Sequence, residues 1–308
     1  MESISPKRLI NMAAPIRIVT HNGKCHADDV FAVASLVLLH ERQNLSYEII
    51  RSRDPQVWES GDYVVDVGGM YDASRNRFDH HQEGRAGAHD DGIFYSSFGL
   101  VWKSYGEILS GSKEAADIIE NKLVLPIDAA DNGIIITEQK YKNLKPYEIG
   151  NVVEAFSLGW EERRDFDKVF FEILAVAKKI LEREIIRARG VIKARAYAEQ
   201  AYKDAEDKRL IFLDRYYPWR DVLQQYPEPM FVIYPTDDGV WHLKAVPANG
   251  ASFKNRKDLP MSWAGKTAES LAQITGVSDA IFCHNNLFLA AAKTKEGATA
   301  LAKKAIEA

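Results

Sequence analysis

The sequence predicts an α/β protein: an N-terminal domain built on a mostly parallel sheet, a helical connector, and a smaller α+β C-terminal domain. Three features of the chain predict it. In the first half, short β-branched runs alternate with helix-like segments, and such alternation builds parallel sheets. A long helical pattern opens at Phe166, and after it come mainly strand-like runs closed by a helix. A chain of 308 residues exceeds the usual single domain. The expected divisions are 14–165, 166–206 and 207–308.

The elements follow in order. The first fifteen residues read as a loose leader. IRIVT at 16–20 is a strand, HNGK a polar turn, and DDVFAVASLVLLHER a helix. SYEIIRS at 46–52 and DYVVDV at 62–67 repeat the strand signal, and in such sheets ligands gather at the carboxyl ends of the strands. The loop EGRAGAHDDG precedes two helical stretches, SSFGLVWKSYGEIL and KEAADIIENKLV. LPIDAADNG at 125–133 adds two aspartates before a glycine that ends its element. From Phe166 to about Ala205, apolar residues recur at Val169, Phe170, Ile173, Leu174, Ala177, Ile180 and Leu181. Unbroken, such a helix spans roughly 50–60 Å, and Gly190 is the expected break. Beyond it, RLIFLDR, MFVIYP, VWHLKAV, AIFCH and LFLAAA are strand-like, while AESLAQIT and EGATALAKKAIEA are helical.

Composition narrows the function. With 46% apolar and 27% charged residues the chain has material for cores. No apolar run approaches the roughly 18 residues of a membrane helix, so no membrane partner is expected. Two cysteines, Cys25 and Cys283, cannot frame a disulfide fold, which suits a reducing compartment, with cytoplasm the default. A net charge of -4 argues against coating nucleic acid by bulk electrostatics. One basic stretch, Lys178 to Arg195, could track a phosphate backbone; an exposed helix face is the plainer account.

The chemistry lies in acidic and histidine clusters, each placed where a strand should end: His21, His26 and Asp28 in HNGKCHADD, Asp66 in VVDVGG, the triplet Asp79-His80-His81, and Asp131 in DNG. Carboxylates suit hard divalent cations and imidazoles suit transition metals, so the mixture points to manganese or a similar ion. Two ions about 3.5–4 Å apart, bridged by a carboxylate, are a standard device for phosphate-ester hydrolysis. Asp66, ending a buried strand, is the candidate bridge. His80 and His81 point different ways in an extended segment, so one can ligate metal while the other meets the phosphate, with Asp79 orienting a histidine. Asp128 is an alternative ligand to Asp131, which the following Asn-Gly makes the better loop position. Cys25 reads as a packing residue rather than an extra ligand.

The strand, the HxxxxHxD segment, the strand-end aspartate, the Asp-His-His triplet and the later aspartate resemble the DHH phosphoesterase superfamily, giving a DHH-like N-terminal domain. More closely, THNGKCHADD, VVDVGG, FDHHQ, IDAADNG, YPW, LPMSWAG and FCHNN…KTKEGA resemble the melanocyte proliferating gene (Myg) family through nearly the whole chain. The resemblance implies His21, His26, Asp28, Asp66, His80 and Asp131 as metal ligands, with His81 at the phosphate and Asp79 behind the histidines as the catalytic pair. His26 stands where most of the superfamily has an aspartate. The chain departs from the family at Cys25, usually aromatic, at Asp29, usually glutamate, and at NNLFLAAA, usually glycine-rich.

In the C-terminal domain Arg256, Lys257, Lys266 and His284 could hold substrate phosphates, or be solvated surface charge. Trp219 and Trp263 could stack bases or sit in the core. The expected function is that of a metal-dependent phosphodiesterase with two Mn2+ ions, Mg2+ or another divalent transition metal being the alternative. By resemblance it is a 3′ to 5′ exonuclease on single-stranded nucleic acid, RNA foremost, or on short oligonucleotides. The alternatives are a small-molecule phosphohydrolase acting on pyrophosphate or a dinucleotide, and a non-catalytic metal-binding regulator. A homodimer is allowed.

Overall fold

The computed structural model describes residues 14–163, 165–248 and 254–308. The chain divides into two units, one ending at Arg189 and the other starting at Gly190.

The first unit opens with β1 (Ile16–Thr20), α1 (Ala27–Arg42), β2 (Tyr47–Arg51), α2 (Pro55–Glu59), β3 (Tyr63–Val65), β4 (Tyr71–Asp72) and β5 (Arg77–Phe78). The sheet order is β2-β1-β3-β5-β4. β1 runs parallel to β2 and β3, β3 runs parallel to β5, and only β4 is antiparallel. The mostly parallel sheet is therefore as the sequence predicts. Every residue of α1 from Asp28 to His40 is buried, which is how a helix apolar on all sides must sit. Two carboxylates, Asp28 and Asp29, thus enter the interior at the first turn of a core helix.

α3 (Ser97–Ser110) packs along α1, and Gly111, at φ 83°, ends it in the left-handed conformation that glycine supplies without strain. α4 (Lys113–Ile119) passes through a π-helical stretch, Glu120–Val124, into α5 (Leu125–Asp131). Pro126 explains the widening: a proline lacks the N–H of the ladder and its ring crowds the carbonyl four residues back. α6 (Ile149–Ala155) follows.

α7 (Phe166–Asp204) is continuous through Gly190, where the sequence suggests a break. A glycine in an exposed helix position costs only about 1 kcal/mol, too little to interrupt a helix packed on both sides of it. Phe170, Ile173, Leu181 and Ile185 are buried before that point, and Ala198 is buried after it.

The second unit holds β6 (Leu210–Phe212), α8 (Arg220–Leu223), β7 (Phe231–Pro235), β8 (Trp241–Ala245), α9 (Ala268–Thr275), β9 (Ala280–Cys283), β10 (Leu289–Ala292) and α10 (Lys295–Glu307). Its sheet, ordered β6-β7-β8-β10-β9, is parallel only between β6 and β7, so this part is α+β. One face packs on Leu271, Leu301 and Trp263; the other packs on Ala198, Trp219 and Leu223. Trp219 and Trp263 are therefore core residues, and neither offers a face to a base. Among the described residues no helix is long and apolar enough to cross a membrane.

Candidate metal centre

The carboxyl ends of β1, β3 and β5 and the start of α1 deliver the centre. His21 follows β1 and is buried. Its Nδ1 lies 2.9 Å from the carbonyl oxygen of Asn22. A carbonyl only accepts, so Nδ1 carries the proton and Nε2 faces inward, 3.2 Å from Asp66 Oδ2 and 3.3 Å from Asp29 Oδ2. Such a bond on the far nitrogen is how a ligating imidazole is usually oriented.

Asp66 follows β3 with φ 56°, and Gly68 and Gly69 continue at φ 101° and 65°. A left-handed residue costs about 1–2 kcal/mol for most side chains, and aspartate is among those that tolerate it. The turn lifts the Asp66 carboxylate off the strand end. Its two oxygens face different partners: Oδ2 meets His21, while Oδ1 accepts from Ser97 Oγ at 2.9 Å and lies 3.3 Å from His80 Nε2.

His80 Nε2 also lies 3.4 Å from Asp131 Oδ2 and 3.8 Å from Asp28 Oδ2, yet it makes no aligned hydrogen bond. Both oxygens of Asp28 are buried without a hydrogen-bond partner. Three sets of ligand atoms each lie within 4.8 Å of one another: His21, His26 and Asp66; Asp66, His80 and His81; and Asp28, His80 and Asp131. A bare buried carboxylate is costly unless a cation meets it. The orphaned oxygens of Asp28, the misaligned His80 nitrogen and the mixed carboxylate–imidazole donors fit a divalent cation of the manganese kind.

All six predicted ligands thus converge, with one correction of placement. Asp131 terminates a helix, α5, rather than a strand, because Pro126 starts a helical turn there rather than an extended run. Asp128 lies one turn earlier and faces away. It accepts from Ser96 Oγ at 2.5 Å and from Gly99 N–H at 3.1 Å, and lies 2.7 Å from His89 Nε2. Asp79 holds His81, its Oδ1 2.7 Å from Nδ1, while its Oδ2 accepts from the Gly69 N–H. The His81 side chain is 63% exposed and lines a cleft of about 390 Å³ with His21, His26, Arg53, Trp58 and Asp66. His26 also lines a second cleft, about 450 Å³, with Lys24, Asp28, Asp131 and Glu154.

Sequence reasoning missed three supports. Asp29 accepts from the His26 and Val30 N–H groups at 2.8 Å and faces His21; the double aspartate in HADD was its signal. Ser97 holds Asp66 from 31 residues away, and His89 bridges Asp128 and Glu120, without any pattern in the chain. Cys25 is buried, and burial pushes its thiol up to about 11, which keeps it an inert packing residue.

The candidates of the second unit are not gathered in this way. The Arg256 guanidinium donates to the carbonyls of Gln224, Tyr226 and Pro229, and Lys257 Nζ donates to that of Ile306. A phosphate would have to displace these bonds. Lys266 is exposed, and the exposed His284 accepts from the Asn286 N–H at 3.0 Å. In the basic stretch, Lys178 pairs with Glu41, Lys179 with Glu182, and Arg189 donates to the Leu109 and Ser110 carbonyls.

Charge crowding gives the centre a pH signature. Burial, which pulls an imidazole down, is outweighed at His21 by Asp29 and Asp66, and its pKa is pushed up to about 10. Burial and the charges of Asp66 and Asp131 hold the Asp28 carboxyl well above its usual range. Asp66 is held low: burial acts against this, but the facing imidazoles of His21 and His80 prevail. For the metal-free protein, the raised His21 adds stability that is complete below about pH 6.5 and vanishes as pH climbs through about 10. Asp28 acts in the same direction, favouring its protonated form, while the contribution of Asp66 is lost only on acidification. The urea midpoint in EDTA is therefore expected to fall as pH rises from about 6.5 towards 10, and saturating Mn2+, which takes the place of those protons, should flatten the decline. Equal slopes with and without metal would contradict this.

Residues 17–306 match the family model MYG1_exonuc, described as Uncharacterised protein family (UPF0160). A "MYG1 protein" of Dictyostelium discoideum is 32% identical over 322 residues, covering 94% of this chain and 96% of its own length. A "MYG1 exonuclease" of Homo sapiens is 30% identical, over 98% of this chain and 89% of that protein. Among solved structures, an exopolyphosphatase-related protein from Bacteroides fragilis aligns over 95% of this chain and 92% of its own at TM-score 0.25 and 11% identity.

Proposed function

The chain belongs to the MYG1 family, Uncharacterised protein family (UPF0160), and from that premise we propose that it is a metal-dependent phosphodiesterase. It shortens single-stranded nucleic acid, RNA foremost, from the 3′ end, using two Mn2+ ions. Relatives bearing the name exonuclease support the nuclease class. The observation that carries the two-ion chemistry is Asp66, one oxygen facing the His21 set and the other facing the His80 set.

Bound divalent ions make water a stronger acid near neutral pH and stabilise charge growing on phosphoryl oxygens. The chain's own residues set the geometry. Asn22 fixes the His21 tautomer, Ser97 fixes Asp66, and Asp79 fixes His81 through Nδ1. That leaves His81 Nε2 free in the cleft to meet a phosphoryl oxygen or to move a proton to the departing one. His26, Asp28, His80 and Asp131 complete the donor set, and imidazole-rich donors favour a transition metal over Mg2+.

His81→Ala is expected to lower kcat about 100-fold or more while leaving the Mn2+ affinity of the protein within a few-fold of the native value. A parallel loss of metal binding would instead make His81 a ligand. The founding test uses single-stranded RNA and DNA labelled at either end, incubated with chelator-stripped protein with and without Mn2+. A Mn2+-dependent ladder receding from the 3′ end is the expected result. No cleavage of either strand would overturn the nuclease reading and direct the assay to pyrophosphate and dinucleotides.

A further inference from the structure

Of the eighteen exposed large apolar side chains among the described residues, eight fall between Ile134 and Trp160. Scattered single apolar residues are ordinary on a protein surface; a concentration of this kind marks a binding face. Ile135 is 87% exposed, Tyr147 72% and Trp160 92%, and Tyr141 and Leu144 are exposed as well. Three exposed lysines, Lys140, Lys142 and Lys145, interleave with the rings in KYKNLKPY. No ion pair engages them among the described residues.

The segment is built rather than loose. The Gln139 side-chain amide donates to the carbonyls of both Tyr141 and Lys142, at 2.9 and 2.7 Å. The Tyr147 hydroxyl donates to the Asn151 carbonyl at 3.1 Å, which ties the ring to α6 while leaving it in solvent. Ile135, Tyr141 and Leu144 line a cavity of about 750 Å³ that also takes in Ala130 and Gly133. Ala130 also lines the cleft that holds Asp28 and Asp131. The face therefore begins where the metal centre ends.

We propose that the Ile134–Tyr147 surface is a stacking platform for single-stranded nucleic acid, with Tyr141 and Tyr147 taking unpaired bases and Lys140, Lys142 and Lys145 meeting the phosphates. This rests on the nuclease reading and adds the surface that holds the strand. Exposed aromatics beside cations match an unpaired strand, because every base has a π-face and every linkage a negative charge. A protein partner fits less well, since lysine is depleted in protein–protein interfaces. Glu138 and Glu148 also line the cavity, so the rings contribute more than bulk charge does. Neither stacking nor phosphate contact reads the 2′-hydroxyl, and the platform accepts RNA and DNA alike.

The test is equilibrium binding of fluorescein-labelled oligo(U) and oligo(dT) of about 12 nucleotides to the full chain in EDTA, where nothing is cleaved. Each of Tyr141→Ala and Tyr147→Ala is expected to weaken binding about tenfold. Replacing the three lysines with alanine should flatten the log–log salt dependence by about two units. Native affinity and native salt dependence in all of these variants would overturn the platform. So would loss of self-association in the ring variants with strand binding intact, which would make the face a contact between copies. A native protein that binds strands in EDTA but never cuts them with Mn2+ would end the nuclease reading and leave the platform standing. One that cuts them with Mn2+ while the variants bind as tightly as native would do the reverse.

Discussion

Asp66→Ala is expected to abolish Mn2+-dependent hydrolysis, with a loss of about three orders of magnitude or more in kcat/KM. No other carboxylate shares its position, since its two oxygens face the two ligand sets separately. The same substitution should cancel the metal's effect on stability. A ligand present at 100 times its Kd adds about 2.7 kcal/mol to the folded state, so Mn2+ should raise the melting temperature of the native protein by several degrees and leave the variant unmoved. Asp66→Asn separates two contributions: asparagine also tolerates the left-handed backbone, so an inactive but equally stable Asn variant assigns the loss to charge. Full activity in either variant would remove Asp66 from the centre and the two-ion chemistry with it.

Gly99→Ala is the substitution expected to damage the fold most per atom added. A Cβ at Gly99 would lie 1.9 Å from Asp128 Oδ2 and 2.9 Å from Tyr95 Cδ1. Asp128 cannot retreat easily, because it is buried and bonded by Ser96, by His89 and by Gly99's own N–H. Overpacking of this kind costs about 3 kcal/mol, equivalent to roughly 6–12 °C in melting temperature. Gly190→Ala is the matched control, since nothing lies within 4 Å of the added carbon. There alanine should stabilise α7 by about 0.5–1 kcal/mol. A native melting temperature for Gly99→Ala would mean that the Asp128 network yields freely.

The strands that position His21 and Asp66 were legible because IRIVT and DYVVDV are β-branched runs closed by the turn sequences HNGK and GG. The hairpin of Tyr71–Asp72 and Arg77–Phe78 was not, because two-residue strands are too short to show a period of two. The gathering of the candidate ligands was legible through residue type and resemblance together. Asp131 was placed on the wrong kind of element because Pro126 masks a helical turn behind a π-helical stretch. Ser97, Asp128 and His89 act across 31 and 39 residues, and contacts of that span leave no local signature. Arg256 and Lys257 show a different limit: a cation in a sequence says nothing about whether main-chain carbonyls already engage it.

The unbroken course of α7 bears on how the chain is made. Its first half, with Phe170, Ile173, Leu181 and Ile185, is core of the first unit, while Ala198 is core of the second. A chain leaving the ribosome from its N-terminus therefore cannot complete the first unit until Arg189 has emerged, although every metal-binding candidate is made by Asp131. Until then the core positions of Phe170, Ile173, Leu181 and Ile185 are not all filled, and this interval is when the nascent protein is most open to chaperones and to aggregation.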